Sequence, residues 1–135
     1  MGFSLFLSSC LQFRMAEDRQ ARKLAKSSVH PQFGMMKGMD REIHYTLAGG
    51  DSSKTMLVFV HGSPGSSSSF LQFAEDSSLL SRYQILLLDR PGFGYSGFGR
   101  SEPKMSRQAT ILNEVIQQFY APKNCLLYTS DAADD

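Results

Sequence analysis

The chain has 135 residues, of which 41% are hydrophobic, and a mean hydropathy of −0.24. This length allows one domain or part of one, and the hydrophobic fraction suits a soluble protein with a core. The formal net charge is +1 and the basic residues are scattered, which argues against a nucleic-acid partner. Two cysteines are too few for a disulfide framework or a zinc site. No apolar run reaches the roughly 20 residues of a membrane helix.

The N-terminus, MGFSLFLSSC, holds a short apolar stretch that ends at Cys10. An apolar residue, two small residues and a cysteine resemble a bacterial lipobox, in which the cysteine is acylated. The apolar stretch is shorter than the ~7–15 residues of a secretory signal, and no Lys or Arg precedes it. Two localisations therefore stay open: export with a membrane tether through Cys10, or a cytoplasmic protein with a frayed apolar terminus.

Hydrophobic periodicity predicts the N-terminal elements in chain order. An exposed amphipathic helix covers residues 16–26, and His30-Pro31 ends it. A short edge strand follows in QFGMMKGMD. Apolar and polar residues then alternate in REIHYTLAGG, which predicts a half-buried strand with His44 on its solvent face.

Two continuous apolar runs, TMLVFV (55–60) and YQILLLD (83–89), predict strands that are covered on both faces. Helical turns lie between them. A last helix within 105–120 presents one apolar face, formed by Leu112, Val115, Ile116 and Phe119. Two buried strands separated by a helix make a βαβ unit, so the predicted class is α/β with a mostly parallel sheet and flanking helices.

The stretch GFGYSG (92–97) spells the G-x-G-x-x-G of dinucleotide-binding turns. Such turns lead directly from a strand into a helix, whose N–H groups then bind the pyrophosphate. Here Asp89-Arg90-Pro91 intervene between strand and glycines, and helical spacing begins only near Ser106. The sequence therefore favours a glycine-rich turn over a NAD site, and no cofactor is predicted.

Two loops follow the two buried strands, and loops at the carboxyl ends of parallel strands face one crevice. The stretches VFVHGSPGSSSSF and LLLDRPGFGYS resemble the N-terminal part of the α/β-hydrolase fold family, with its H-G-x-P-G oxyanion loop and its D-x-P-G-x-G-x-S turn. The resemblance runs over residues 41–124. It implies a truncated α/β-hydrolase fold with about the first four strands.

The resemblance also implies roles for the first loop. The Ser63 N–H would donate to the oxyanion of a tetrahedral intermediate. His61 would pack and hydrogen-bond within the loop rather than act as the catalytic base, which the family places near the end of the domain. The residues that support Ser63 are His61, Gly62, Pro64 and Gly65.

The second loop would be structural, with Asp89 and Arg90 tying it together as an ion pair or turn cap. Its structural residues are Asp89, Arg90, Pro91, Gly92, Gly94 and Ser96. Neither loop completes the G-x-S-x-G nucleophile elbow, because Ser63 lacks the first glycine and Ser96 lacks the last. Nucleophile, acid and base are therefore expected beyond Asn124, and no metal ligands are predicted.

The C-terminal stretch CLLYTSDAADD (125–135) resembles the translation of a transposase adaptor from sequencing libraries. On this interpretation the natural sequence ends near Asn124 and Cys125 has no biological meaning; the alternative is a short strand with an acidic tail. The chain then divides into a signal-like segment with an exposed helix (1–30), part of an α/β-hydrolase domain (31–124) and a non-native tail (125–135). Without a fifth strand, residues 55–60 would form a bare apolar edge, which predicts an unstable or insoluble fragment.

The expected function is that of an N-terminal fragment of a serine hydrolase, itself inactive, whose parent acts on an ester, amide or peptide bond of a small substrate. Two alternatives stay open. One is a member with an Asp nucleophile, as in epoxide hydrolases and haloalkane dehalogenases. The other is a non-catalytic binding protein of the same fold. The sequence does not predict the oligomeric state.

Overall fold

A computed structural model of the chain describes residues 14–119 and 125–129. The strands are β1 (Gln32–Gly38), β2 (Arg41–Ala48), β3 (Thr55–Val60), β4 (Tyr83–Leu88) and β5 (Cys125–Thr129). The helices are α1 (Glu17–Ala25), α2 (Leu71–Ala74), α3 (Ser77–Leu80) and α4 (Met105–Phe119), and a 3-10 turn (Ser67–Phe70) precedes α2.

One sheet contains all five of these strands, in the order β1-β2-β4-β3-β5. β3 pairs in parallel with β4 and β5, whereas β2 pairs antiparallel with β1 and β4. The predicted α/β class and the parallel βαβ unit are confirmed. The sheet as a whole is mixed, because the two-residue link between β1 and β2 is too short for a parallel connection.

Helices cover both faces of the sheet and bury two apolar clusters. On one face α4 packs against alternate residues of the central strands, and this cluster includes Ile43, Val58, Leu86, Ile111 and Val115. On the other face α1, the 3-10 turn and α2 pack over the remaining strand residues, and this cluster includes Leu24, Phe59, Leu71, Ile85 and Leu87. The continuous apolar runs of β3 and β4 follow from burial on both faces.

The prediction that His44 faces solvent is wrong, since His44 is only 1% exposed. The cause is α1, which was predicted to be an exposed helix. In the structure α1 buries Gln20 and Leu24, and the Met15 N–H just before it donates to Ser68 Oγ at 3.2 Å. The α1 helix therefore covers the face of β2 that carries His44.

The prediction of a bare β3 edge is also wrong, because β5 pairs with β3 from Met56↔Cys125 to Val60↔Thr129. The short strand considered as the alternative for 125–129 is thus present, and the sheet has five strands rather than about four. The outer strand is now β5, where Leu127 is 61% exposed. Cys10 and Asn124 lie outside the described residues, so lipidation at Cys10 and a junction at Asn124 stay predictions.

Candidate active-site loops

The loops after β3 and β4, residues 61–65 and 89–96, lie against each other at the same end of the sheet. The Arg90 N–H donates to His61 Nε2 at 3.0 Å, and the Arg90 guanidinium donates to the His61 carbonyl at 3.4 Å. No helix follows Gly97 directly, since α4 begins at Met105. The glycine stretch is therefore a turn beside the first loop and lacks the helix of a dinucleotide site.

His61 is a buried ring with both nitrogens engaged inside the two loops. Because Nε2 accepts a hydrogen bond from the Arg90 N–H, the ring proton lies on Nδ1, which donates to the Gly62 carbonyl at 2.7 Å. Burial lowers the pKa of His61, and the nearby Arg90 cation lowers it further. The ring is thus neutral and fixed in one tautomer. It has no nitrogen left to accept a proton from a nucleophile.

The tip of the first loop is exposed at Ser63 and Pro64, which a cis peptide bond joins. Among the residues that the structure describes, none accepts a hydrogen bond from the Ser63 N–H. Behind the tip Gly65 is buried against the His61 ring, where a Cβ would lie 3.3 Å from Nδ1. The loop is therefore packed at Gly65 and His61, and at its tip it carries a backbone N–H without an acceptor among the described residues.

Asp89 is the polar centre of the second loop and is 1% exposed. Its Oδ1 accepts from the Ser67 N–H at 2.7 Å, and its Oδ2 accepts from the Tyr95 N–H and from His44 Nδ1, both at 3.0 Å. Burial by itself would raise the pKa of Asp89, but the hydrogen bonds from His44, Ser67 and Tyr95 outweigh it, and the net shift is downward. One carboxylate thus joins β2, the 3-10 turn and the glycine loop.

Ser96 is a buried hydroxyl whose hydrogen bonds are all internal. Its Oγ donates to the Asp89 carbonyl at 2.7 Å and accepts from the His44 N–H at 2.9 Å. A nucleophilic serine has to present its oxygen to substrate next to a base. The position of Ser96 therefore does not fit that role, in line with its incomplete elbow motif.

Two glycines of this loop are required by close approach. Gly94 has φ +53°, and a Cβ there would lie 2.3 Å from the Asp89 carboxyl carbon. Gly92 has φ +88°, and a Cβ there would lie 2.4 Å from the Ser101 Cα. Both positions combine a left-handed backbone with no room for a side chain. Gly94 thus allows the loop to pass close to Asp89, and Gly92 allows it to pass close to the backbone at Ser101.

Of the two arrangements expected for Asp89 and Arg90, an ion pair or a turn cap, residues 14–119 show the cap, since Asp89 Oδ2 accepts the Tyr95 N–H, and they show no ion pair between the two side chains. Successive side chains at a strand end point to opposite faces of the sheet. Asp89 therefore points toward His44 and α1, while the Arg90 Nε donates to Gln108 Oε1 on α4 at 3.0 Å. The Arg90 guanidinium also lies 5.3 Å from the centre of the Phe93 ring.

Two polar side chains of this region, Glu17 and His44, are not among the site residues predicted from the sequence. Glu17 Oε1 lies 2.7 Å from His44 Nε2. A signal was present, because a histidine between two apolar strand residues, Ile43 and Tyr45, needs a polar partner if both faces are covered. The alternating pattern of β2 hid it by suggesting a solvated face.

An apolar pocket of about 320 Å³ opens beside the loops, between α4 and the carboxyl ends of β3 and β5. The residues that line it include His61 and Arg90 of the two loops and the apolar side chains of Leu112, Ile116 and Leu127. Residues 14–119 and 125–129 contain no group of three or more side chains arranged to hold a metal ion. Within the same ranges no helix has the length and apolarity needed to cross a membrane.

A family model for the alpha/beta hydrolase fold matches residues 55–127, more than half of the chain and both loops. The chain belongs to the α/β-hydrolase fold family. A curated relative, a proline iminopeptidase of Lactobacillus crispatus, is 30% identical over 83 residues, which are 62% of this chain. The chain spans 28% of the length of that relative.

Solved structures with the same fold include an epoxide hydrolase and a haloalkane dehalogenase. The Cif epoxide hydrolase from Acinetobacter nosocomialis matches with a TM-score of 0.63 at 15% identity, over 89% of this chain and 39% of its own. The haloalkane dehalogenase DatA from Agrobacterium tumefaciens matches with a TM-score of 0.59 at 18% identity, over 75% of this chain and 33% of its own. At these identities the likeness concerns the α/β-hydrolase fold alone.

Proposed function

We propose that this chain supplies the oxyanion loop of a serine hydrolase that acts on an ester, amide or peptide bond of a small substrate. The proposal rests on the Ser63 N–H, which has no hydrogen-bond acceptor among the described residues. It lies on a loop that the hydrogen bonds of His61 hold in place. The nucleophile, acid and base are proposed to lie in the parent protein beyond residue 124. The 135-residue chain alone is therefore expected to be inactive.

The chemistry follows from where negative charge develops. Attack on an ester or amide carbonyl produces a tetrahedral oxyanion, and a backbone N–H fixed in advance stabilises it by roughly 3 kcal/mol. Ser63 would act through its backbone, so its hydroxyl is dispensable. The hydrogen bonds of His61 to Gly62 and Arg90 hold the loop before substrate arrives.

The internal bonding of this segment supports a nucleophile from elsewhere. The Ser96 hydroxyl and both ring nitrogens of His61 are already used in holding the loops. Ser63 is exposed, but it has no histidine positioned as a base, because the nearby His61 is saturated. This segment would therefore stabilise and position, while other residues break the bond.

The named relative makes an N-terminal peptide bond the first substrate to test. A proline iminopeptidase, by its name, releases an N-terminal proline, and such a bond falls within the ester, amide or peptide class. We therefore propose short peptides as the leading substrate class. An Asp nucleophile or a non-catalytic member of the family is distinguished by the experiment that follows.

The experiment uses the full-length parent protein with prolyl p-nitroanilide, a p-nitrophenyl ester and a styrene oxide as substrates. Ser63→Pro removes the N–H donor and is expected to lower kcat by about 10²–10³-fold. Ser63→Ala keeps the donor and is expected to keep the wild-type rate. Thermal melts of both variants show whether the loop still folds.

Three outcomes would count against the proposal. Equal rates for folded Ser63→Pro and wild type would remove the oxyanion role. Turnover of the epoxide alone would assign an Asp nucleophile. No turnover and no labelling by a fluorophosphonate probe would assign a non-catalytic protein.

A further inference from the structure

Two carboxylates and one imidazole, from three separate elements, lie together where α1 meets the sheet. His44 on β2 lies between Glu17 on α1, 2.7 Å from Nε2, and Asp89 after β4, 3.0 Å from Nδ1. The His44 side chain is 2% exposed and that of Asp89 1%. Both ring nitrogens therefore face a carboxylate oxygen at hydrogen-bond distance, away from bulk water.

The two contacts of the His44 ring need one more proton than a neutral imidazole supplies. A neutral imidazole has one N–H donor and one lone pair. It could donate to one carboxylate, and its lone pair would then face the oxygen of the other. Both contacts become hydrogen bonds only when an additional proton is present, on the ring or on a carboxyl group.

The surrounding donors favour the ring as the place for that proton. Asp89 already accepts the Ser67 and Tyr95 N–H groups, and hydrogen bonds of this kind stabilise a carboxylate anion. Glu17 is 45% exposed, so water solvates its charge. We infer that His44 is an imidazolium at neutral pH and is a positioning residue, which holds Asp89 and α1 together and thereby orients the two loops.

The other groups around the ring leave this balance in place. The Tyr95 ring lies 4.9 Å and the Phe33 ring 6.3 Å from the His44 ring, centre to centre. Arg14 brings a cation close to this group, because its guanidinium carbon lies 4.0 Å from the centre of the Tyr95 ring and its Nη1 donates to the Gly94 carbonyl. Burial lowers the pKa of His44, but Asp89 and Glu17 more than offset it, and the net shift is upward.

The consequence is a hydrogen-bond network that depends on the protonation of His44 and connects α1 with both loops. Asp89 fixes the Ser67 N–H just after the first loop and the Tyr95 N–H inside the second. Loss of the proton from His44 would turn one of its two hydrogen bonds into a repulsive contact. The N-terminal helix is thus part of what positions the loops. This inference does not depend on the proposed hydrolase activity.

The test is a titration of the 135-residue chain by long-range ¹H–¹⁵N NMR of its histidine rings, with His44 assigned by its absence in His44→Gln. Both ¹⁵N signals of His44 are expected in the protonated range at pH 7.5, and the ring is expected to lose its proton at higher pH than the same ring in the urea-unfolded chain. Glu17→Gln is expected to lower the pH of that loss. Asp18→Asn, which removes the neighbouring carboxylate of α1, is the matched control and is expected to leave it unchanged.

A second readout concerns positioning rather than charge. Hydrogen exchange of the Ser67 and Tyr95 amides, relative to the Leu86 amide inside β4, is expected to accelerate in the wild type as His44 loses its proton. One unprotonated ring nitrogen at pH 7.5 would overturn the imidazolium and with it the inference. An unchanged exchange ratio through the titration would overturn the positioning role. Sequential backbone assignment of the wild type identifies His44 independently of His44→Gln, so the wild-type spectra decide both points even if a variant fails to fold.

Discussion

The Nε2 of His61 accepts a hydrogen bond from the Arg90 N–H at 3.0 Å, so a residue after β3 and a residue after β4 share one contact. This contact crosses between two parallel strands at their carboxyl ends, where α/β proteins form their sites. His61 therefore holds the two loops of the site together.

Replacing His61 is expected to destabilise the fold. His61→Ala leaves the Arg90 N–H without its buried acceptor, which costs about 1–3 kcal/mol in the free energy of unfolding, and it also removes the ring that packs on Gly65. Urea unfolding measures the difference. His30→Ala, at an exposed position, is the control and is expected to have little effect. Equal losses for the two variants would show that the contact does not hold the loops.

Gly94 and Gly97 form a matched pair for testing close approach to Asp89. Both have positive φ, but a Cβ at Gly94 would meet the Asp89 carboxylate at 2.3 Å, whereas at Gly97 it would meet open space. Gly97→Ala is expected to cost about 1–2 kcal/mol from the left-handed backbone. Gly94→Ala carries the same backbone cost together with the clash, so its melting temperature is expected to fall well below that of Gly97→Ala. Similar melting temperatures would contradict the geometry around Asp89.

The two buried histidines are expected to give a stability maximum near pH 6.5. The pKa of His44 is raised, so its contribution is complete below the ordinary value of about 6.5 and is lost as pH rises through the folded pKa. The pKa of His61 is lowered, so the unfolded state binds the proton more readily, and stability falls as pH drops below about 6.5. Asp89, whose pKa is lowered, adds a further loss only at acidic pH, below about 3.9.

Urea unfolding from pH 5 to 9 measures this profile. His44→Gln is expected to flatten the alkaline side, and His61→Gln the acidic side, whatever each variant does to the overall free energy of unfolding. A wild-type profile that rises steadily from pH 6.5 to 9 would contradict the assignment for His44.

Ser96→Ala is expected to cost about 1–3 kcal/mol in the free energy of unfolding, since it leaves the buried His44 N–H without its acceptor. In the full-length parent protein the same substitution is expected to leave the protein reactive toward a fluorophosphonate probe, because Ser96 is not proposed as the nucleophile. Ser101→Ala, on the exposed side of the turn, is the stability control. Loss of labelling in a folded Ser96→Ala protein would reverse the assignment.

Pairing of β5 with β3 predicts the effect of shortening the chain. Removal of residues 125–135 exposes the N–H and C=O groups along the outer edge of β3, which favours association between chains. The shortened chain is expected to sediment as larger species than the 135-residue chain at the same concentration. Leu127→Lys, which places a charge on the exposed strand β5, is expected to reduce association. Identical sedimentation of the shortened chain and the 135-residue chain would show that β5 does not protect the edge of β3.

The sequence predicted those parts of the fold that local pattern controls. The apolar runs of β3 and β4 and the apolar face of α4 are recorded in consecutive residues, so they could be located without the structure. The two loop motifs could be located as well, because each follows one of those strands directly. The roles proposed for their residues remain predictions.

What could not be predicted depends on packing between distant segments. The surroundings of His44 are set by α1, whose residue Glu17 lies 27 positions earlier, and no local pattern records that contact. Strand alternation predicts that Asp89 and Arg90 point to opposite faces, but their partners, His44 and Gln108, come from distant segments. The edge of β3 depended on whether residues 125–129 pair with it, and their sequence is compatible with either outcome.

The most direct measurement of the central claim is a crystal structure of the full-length parent protein with a boronic acid bound as an analogue of the tetrahedral intermediate. A boronate oxygen is expected about 2.7–3.1 Å from the Ser63 nitrogen, with the hydrogen bond between the Arg90 N–H and His61 Nε2 intact. A boronate bound to a serine outside residues 1–124, with no oxygen in reach of the Ser63 N–H, would contradict that expectation.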